Sequence, residues 1–86
     1  MAMFISRLRV EDYAHAKAVH LAARPAREAH GFHNEQFFRN PGDPHEMLIV
    51  WNVDDLHQAR AYGQSEEVQQ RIRASGTLEV VNYYPD

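Results

Sequence analysis

The sequence predicts an α+β fold: a four-stranded antiparallel sheet with helices on one face, in the order β-α-β-β-α-β. Three observations lead there. Four stretches alternate apolar and polar residues or are dense in β-branched and aromatic side chains, as strands are. Two stretches between them carry helix signals, an alanine-rich run after Asp12 and a pair of capped segments after Asp54. The two middle strands flank Asn40-Pro41-Gly42-Asp43-Pro44, a concentrated turn signal that makes them a hairpin.

Each element follows in order. Residues 3–10, MFISRLRV, put Met3 and Ile5 on one face and Phe4, Leu8 and Val10 on the other, which predicts the first strand. Asp12 suits the N-cap of a helix running from Tyr13 to about Ala29. Pro25 lacks the N–H that would bond back to Leu21, so a kink or break is expected there. Gly31 suits a left-handed C-cap. Residues 32–39, FHNEQFFR, form the second strand, and MLIVWNV at 47–53 lies in the third. Asp54 or Asp55 caps a short helix with Leu56, Ala59 and Tyr62 on one stripe, ended by Gly63. Ser65 caps another, with Glu66 and Glu67 in its first turn and Val68, Ile72 and Ser75 on one face, closed by Gly76. Residues 77–84, TLEVVNYY, make the fourth strand. This is the ferredoxin-like, split βαβ plan, expected as a single domain over residues 1–86.

Composition narrows the function. Nine basic and twelve acidic residues give a formal charge of −3, with no basic run, which argues against nucleic acid and an anionic membrane surface as partners. The absence of cysteine excludes disulfides, thiolate metal sites and cysteine nucleophiles. The apolar run at the start is too short for a secretory signal, and no stretch reaches the roughly 20 apolar residues of a membrane span, so a cytoplasmic setting is expected.

MLIVWNV is apolar on both faces: Met47, Ile49, Trp51 and Val53 point one way, Leu48 and Val50 the other. Helices cover one face of the sheet. Leaving three or four large apolar side chains of the other face in water would forgo about 1.5–3 kcal/mol each. A second copy packed sheet to sheet is the simplest cover, so a homodimer through the sheet faces is expected.

Val10-Glu11-Asp12-Tyr13, Ala16-Lys17, Arg27 with Gly31, Arg39 with Asp43-Pro44, Ser65 and Ala74-Ser75-Gly76 occur in an order that resembles the dimeric α/β-barrel superfamily, specifically antibiotic-biosynthesis monooxygenase-like proteins and small cyclase-like proteins. The resemblance runs over most of the chain. It implies a dimeric barrel with a cavity between each sheet and its helices. The chain departs from the pattern at Leu8, Ala16 and His20, where those proteins carry histidine, tryptophan and phenylalanine.

Candidate chemistry centres on the first helical stretch. At helical spacing Tyr13, Ala16, His20, Ala23 and Arg27 share a stripe; Val19, Ala22, Ala26 and Ala29 share the alternative one. If the first faces the sheet, it lines a cavity with a phenol, an imidazole and a guanidinium. His20 would then be a base, with Arg27 or Tyr13 holding the developing charge. The structural alternative is a half-buried His20 bonded to a backbone carbonyl, with Arg27 paired to an acid. Trp51, Phe37 and Tyr83 suit a flat conjugated ligand, or ordinary packing, and Asn52 and Asn82 are amides in otherwise apolar strands. His30 and His33 have H-x-x-H spacing, but Gly31 interrupts the helix and no third ligand is placed, so no metal is expected, and no cofactor.

Two functions fit. One is a cofactor-independent monooxygenase or cyclase acting on an aromatic or polyketide-like molecule, whose own electrons reduce oxygen. The other is a non-catalytic dimer that binds a small apolar ligand or serves as a scaffold.

Overall fold

A computed structural model describes residues 2–86. The elements are β1 (Ala2–Val10), α1 (Tyr13–Ala22), α2 (Arg24–Ala29), β2 (Phe32–Asn40), β3 (Asp43–Val53), α3 (Leu56–Gly63), α4 (Glu66–Ala74) and β4 (Thr77–Tyr83). The strands lie in the order β2-β3-β1-β4, every neighbouring pair antiparallel. This is the expected ferredoxin-like α+β fold, with helices on one face of one sheet.

The local signals act as their chemistry dictates. Asp12, Asp55 and Ser65 accept the backbone N–H of His15, Gln58 and Val68 at 3.0, 3.1 and 3.3 Å, each satisfying an orphan donor of a helix start. Pro25 produces a full break rather than a kink. The first helix stops at Ala22, and Pro25 sits in the first turn of α2, where a missing N–H costs nothing. Gly31 and Gly76 turn the chain out of α2 and α4 with φ of 84° and 69°, a region closed to most side chains. Gly63 is the last residue of α3, as expected, but its φ is not positive, and the chain leaves the helix at Gln64.

The register explains burial. Phe4, Leu8 and Val10 of β1 and Met47, Ile49, Trp51 and Val53 of β3 face the helices and meet Ala16, Ala59 and Tyr62. The other face presents Met3, Ile5, Leu48, Val50, Phe38, Val81 and Tyr83, side by side across the strands. Met3, Phe38 and Tyr83 are about half exposed, at 50%, 47% and 52%.

β2 is not the regular strand its sequence suggests. The pairing steps from His33↔Asn52 to Gln36↔Val50, so Asn34 and Glu35 together oppose Trp51. Asn34 adopts φ 56°, the left-handed conformation that asparagine tolerates better than most residues. This β-bulge brings Glu35 and Phe37, rather than Asn34 and Gln36, onto the side of Phe32.

Candidate functional site

Between the sheet and its helices lies an apolar cavity. Its inner space is about 80 Å³, and the whole concavity, mouth included, encloses about 590 Å³. Phe4, Leu8, Phe32, Ile49, Trp51 and Val80 form the sheet side, and Tyr62, Val68 and Ile72 the helix side. A small polar set interrupts this lining: Ser6, Asn82, His20, Arg27 and Arg71. An apolar concavity with a few convergent polar groups is the usual form of a small-molecule site.

The first of the two helical stripes is the buried one. Ala16 and His20 of α1 and Arg27 of α2 are inside, while Ala22 and Ala29 are exposed. Reaching across the break at Ala23, Arg27 donates from Nη2 to the His20 carbonyl. Its Nε donates to Glu35 Oε1 at 2.6 Å, and Arg24 Nε donates to Glu35 Oε2 at 2.9 Å. Trp51 Nε1 also donates to Glu35 Oε1, at 2.7 Å. Arg27 therefore has two of its three nitrogens committed to the protein.

Electrostatics follow from this packing. Burial, with the positive charges of Arg27 and Arg71 nearby, lowers the His20 pKa to about 4, so the ring is neutral at pH 7. Burial pushes the Glu35 carboxyl up, but the donors on Arg27, Trp51 and Arg24 outweigh it and hold the group below its ordinary value. Burial raises the Tyr62 phenol, which donates to Glu67 Oε2 at 2.5 Å. Glu67 in turn accepts from Arg71 Nη2 at 3.0 Å.

The other sequence candidates lie elsewhere. Tyr13 sits under the Arg39 guanidinium, 4.1 Å from its ring centre, away from the cavity. Phe37 packs at the edge of the core with Lys17 over its ring. Asn52 accepts from Asn34 Nδ2 at 3.1 Å on the open side, and Tyr83 lies on that side too. So the structure brings His20, Arg27 and Trp51 together, with Asn82 at the same wall, and separates Tyr13, Phe37, Asn52 and Tyr83 from them. Sequence reasoning missed Ser6, Glu35, Tyr62 and Arg71. Ser6 was visible in principle, as the one hydroxyl between Phe4 and Leu8 on an apolar strand face; it donates to Asn82 Oδ1 at 2.6 Å. Glu35 was hidden by the bulge.

His30 and His33 point to different partners: His30 Nδ1 meets the Ala26 carbonyl at 2.8 Å, and His33 Nε2 meets Asp54 Oδ2 at 2.9 Å. Among the described residues no group of three or more His, Cys, Asp or Glu can hold a metal ion. Among them, too, no helix is long and apolar enough to cross a membrane.

No protein-family model and no curated protein matches the sequence. Solved structures do match the fold. A protein from Bordetella bronchiseptica, provisionally described as an antibiotic biosynthesis monooxygenase, superposes with a TM-score of 0.81 at 18% identity, over 99% of this chain and 94% of its own. SnoaB, a cofactor-independent oxygenase from Streptomyces nogalater, gives 0.78 at 12% identity, over 99% and 90%. A provisionally described antibiotic biosynthesis monooxygenase from Deinococcus radiodurans gives 0.69 at 15% identity, over 100% and 91%. The chain thus has the ferredoxin-like α+β fold found in structures of the antibiotic biosynthesis monooxygenase type.

Proposed function

We propose that this protein is a cofactor-independent oxygenase of the antibiotic biosynthesis monooxygenase kind, acting as a homodimer on a flat aromatic or polyketide-like substrate. The observation that carries the reading is His20: a neutral imidazole in the wall of an apolar cavity, beside Trp51. The substrate would lie against Trp51 and give an enol or phenol proton to His20. Arg27 and Arg71 supply positive potential for the anion, and low dielectric strengthens that attraction. The electron-rich anion then reduces oxygen itself. The structural likeness to SnoaB supports this choice of chemistry. The reading includes the cytoplasmic setting and the sheet-to-sheet dimer expected from the sequence, the latter supported by the half-exposed Met3, Phe38 and Tyr83.

The test is oxygen uptake in air with an anthrone-like or quinol substrate. Uptake above background that falls to background in His20→Ala supports the reading. Equal rates in both proteins remove His20 from the chemistry.

A non-catalytic ligand-binding dimer is the second reading. It is favoured by the commitment of Arg27 to Glu35 and the His20 carbonyl, the pairing expected of a structural residue. Saturable ligand binding without oxygen uptake would select it.

A further inference from the structure

Two side chains behind His20 settle a question that its position alone leaves open, namely which ring nitrogen holds the proton. Ser75 is fully buried at the end of α4, and the left-handed turn at Gly76 brings Thr77 back beside it. Ser75 Oγ donates to the Ile72 carbonyl at 2.8 Å. It also lies 2.7 Å from Thr77 Oγ1, which lies 3.3 Å from His20 Nε2.

A hydroxyl has one proton to give, and a carbonyl can only accept. The Ser75 proton is spent on Ile72, so in the second contact Thr77 is the donor and Ser75 the acceptor. The Thr77 proton is then spent too, and its oxygen can only accept from His20. Nε2 must carry the hydrogen. Nδ1 is left with its lone pair, and among the described residues it has no protein partner. Among them, also, no side-chain nitrogen or oxygen shut away from solvent lacks a partner. Nδ1 is therefore reachable, on a residue that lines the cavity.

We infer that Ser75 and Thr77 are positioning residues, which lock His20 in the Nε2–H tautomer and present Nδ1 as the proton acceptor of the cavity. Any group that bonds there must bring its own proton, as an enol or a phenol does, whereas an ether or a ketone finds no donor at this point. The burial that keeps the ring neutral serves the same end, since a doubly protonated ring has no acceptor. Arg27 from α2, Arg71 from α4 and Glu35 from β2 are the charged groups that bear on it. The inference deepens the proposed role of His20 but rests on the hydrogen-bond geometry.

Two-bond proton–nitrogen correlation NMR of the imidazole rings at pH 7 tests it on the intact protein. Wild type should show a protonated-type Nε2 and a pyridine-type Nδ1 for His20. Thr77→Val should shift the ring toward the other tautomer or a mixture, and Thr77→Ser should restore it. Ser75→Ala frees the Thr77 proton for Nε2 and should shift the ring the same way. A wild-type spectrum with the proton on Nδ1 overturns the inference without any variant. So does an unchanged tautomer in Thr77→Val and Ser75→Ala. The expected tautomer in a protein that consumes no oxygen would sink the catalytic reading and leave this inference standing.

Discussion

The Trp51 indole nitrogen and the Glu35 carboxylate are joined at 2.7 Å, and the oxygen that takes the indole hydrogen also takes that of Arg27 Nε at 2.6 Å. The Glu35 side chain is 4% exposed and that of Arg27 6%. One carboxylate oxygen thus ties the floor of the cavity to the helix above it. Removing it leaves a buried guanidinium without a counter-charge. Glu35→Ala should cost about 3 kcal/mol in urea unfolding, in the range for one half of a buried ion pair. Trp51 is the only tryptophan, so its emission should move to longer wavelength in the same variant. Emission and stability both unchanged would contradict this role.

Acid should weaken the protein in two stages. Histidine ordinarily titrates near 6.5, and folded His20 near 4. Above about 6.5 both folded and unfolded forms are neutral, and His20 contributes nothing. As pH falls below that, the unfolded chain takes up a proton that the folded one refuses, so stability falls by about 3 kcal/mol until pH nears 4. Glu35, whose folded pKa is depressed, stabilises above the ordinary carboxylate range and is lost further down, through its folded pKa. Unfolding free energies of wild type and His20→Gln from pH 7 to 4 should converge toward acid, because the variant lacks the first stage.

The uncovered sheet face predicts association. Sedimentation at micromolar concentration should give a particle of twice the 10.0 kDa chain. A lysine at the centre of that face should break it, because pairing would bury an unmatched charge. Val50→Lys is the direct test, since Val50 lies between Ile5 and Gln36 on that side. A folded, stable wild-type monomer would exclude the dimer.

The cavity itself can be filled. Val68 lines it from α4 and is only partly buried. Val68→Phe should occupy the inner space of about 80 Å³ and cost no more than about 1–3 kcal/mol of stability. Quenching of Trp51 emission by an anthrone-like ligand should vanish in this variant while its circular dichroism stays native. Undiminished quenching would put the ligand elsewhere.

The architecture was legible because its signals are local. Asp12 and Ser65 set helix starts through their side-chain oxygens, Gly31 and Gly76 set helix ends through their backbone freedom, and the alternation in β1 and β3 assigned faces before any partner was known. The site was only partly legible. His20 and Arg27 could be paired from helical spacing, although a break at Ala23 lies between them, because the chain resumes helix almost at once. Tyr13 shares that stripe but sits at the start of α1, beyond the cavity's reach. Glu35 could not be found, since the phase of β2 changes at Asn34, and a strand read with strict period two places the wrong residues inside. The Ser75–Thr77 relay joins residues on either side of a glycine turn to a histidine far away in sequence, which no spacing rule reports.

The irregularity at Asn34 has a further effect, because β2 is a border of the sheet. A straight border strand offers a row of free N–H and C=O groups on which another chain can template itself. Here that row is bent out of line by the left-handed residue, and β1 steps out of register with the opposite border strand at Arg9 and Val10. Lateral growth into a continuous ribbon, the route to fibrils, is obstructed on one flank by the bend and disturbed on the other.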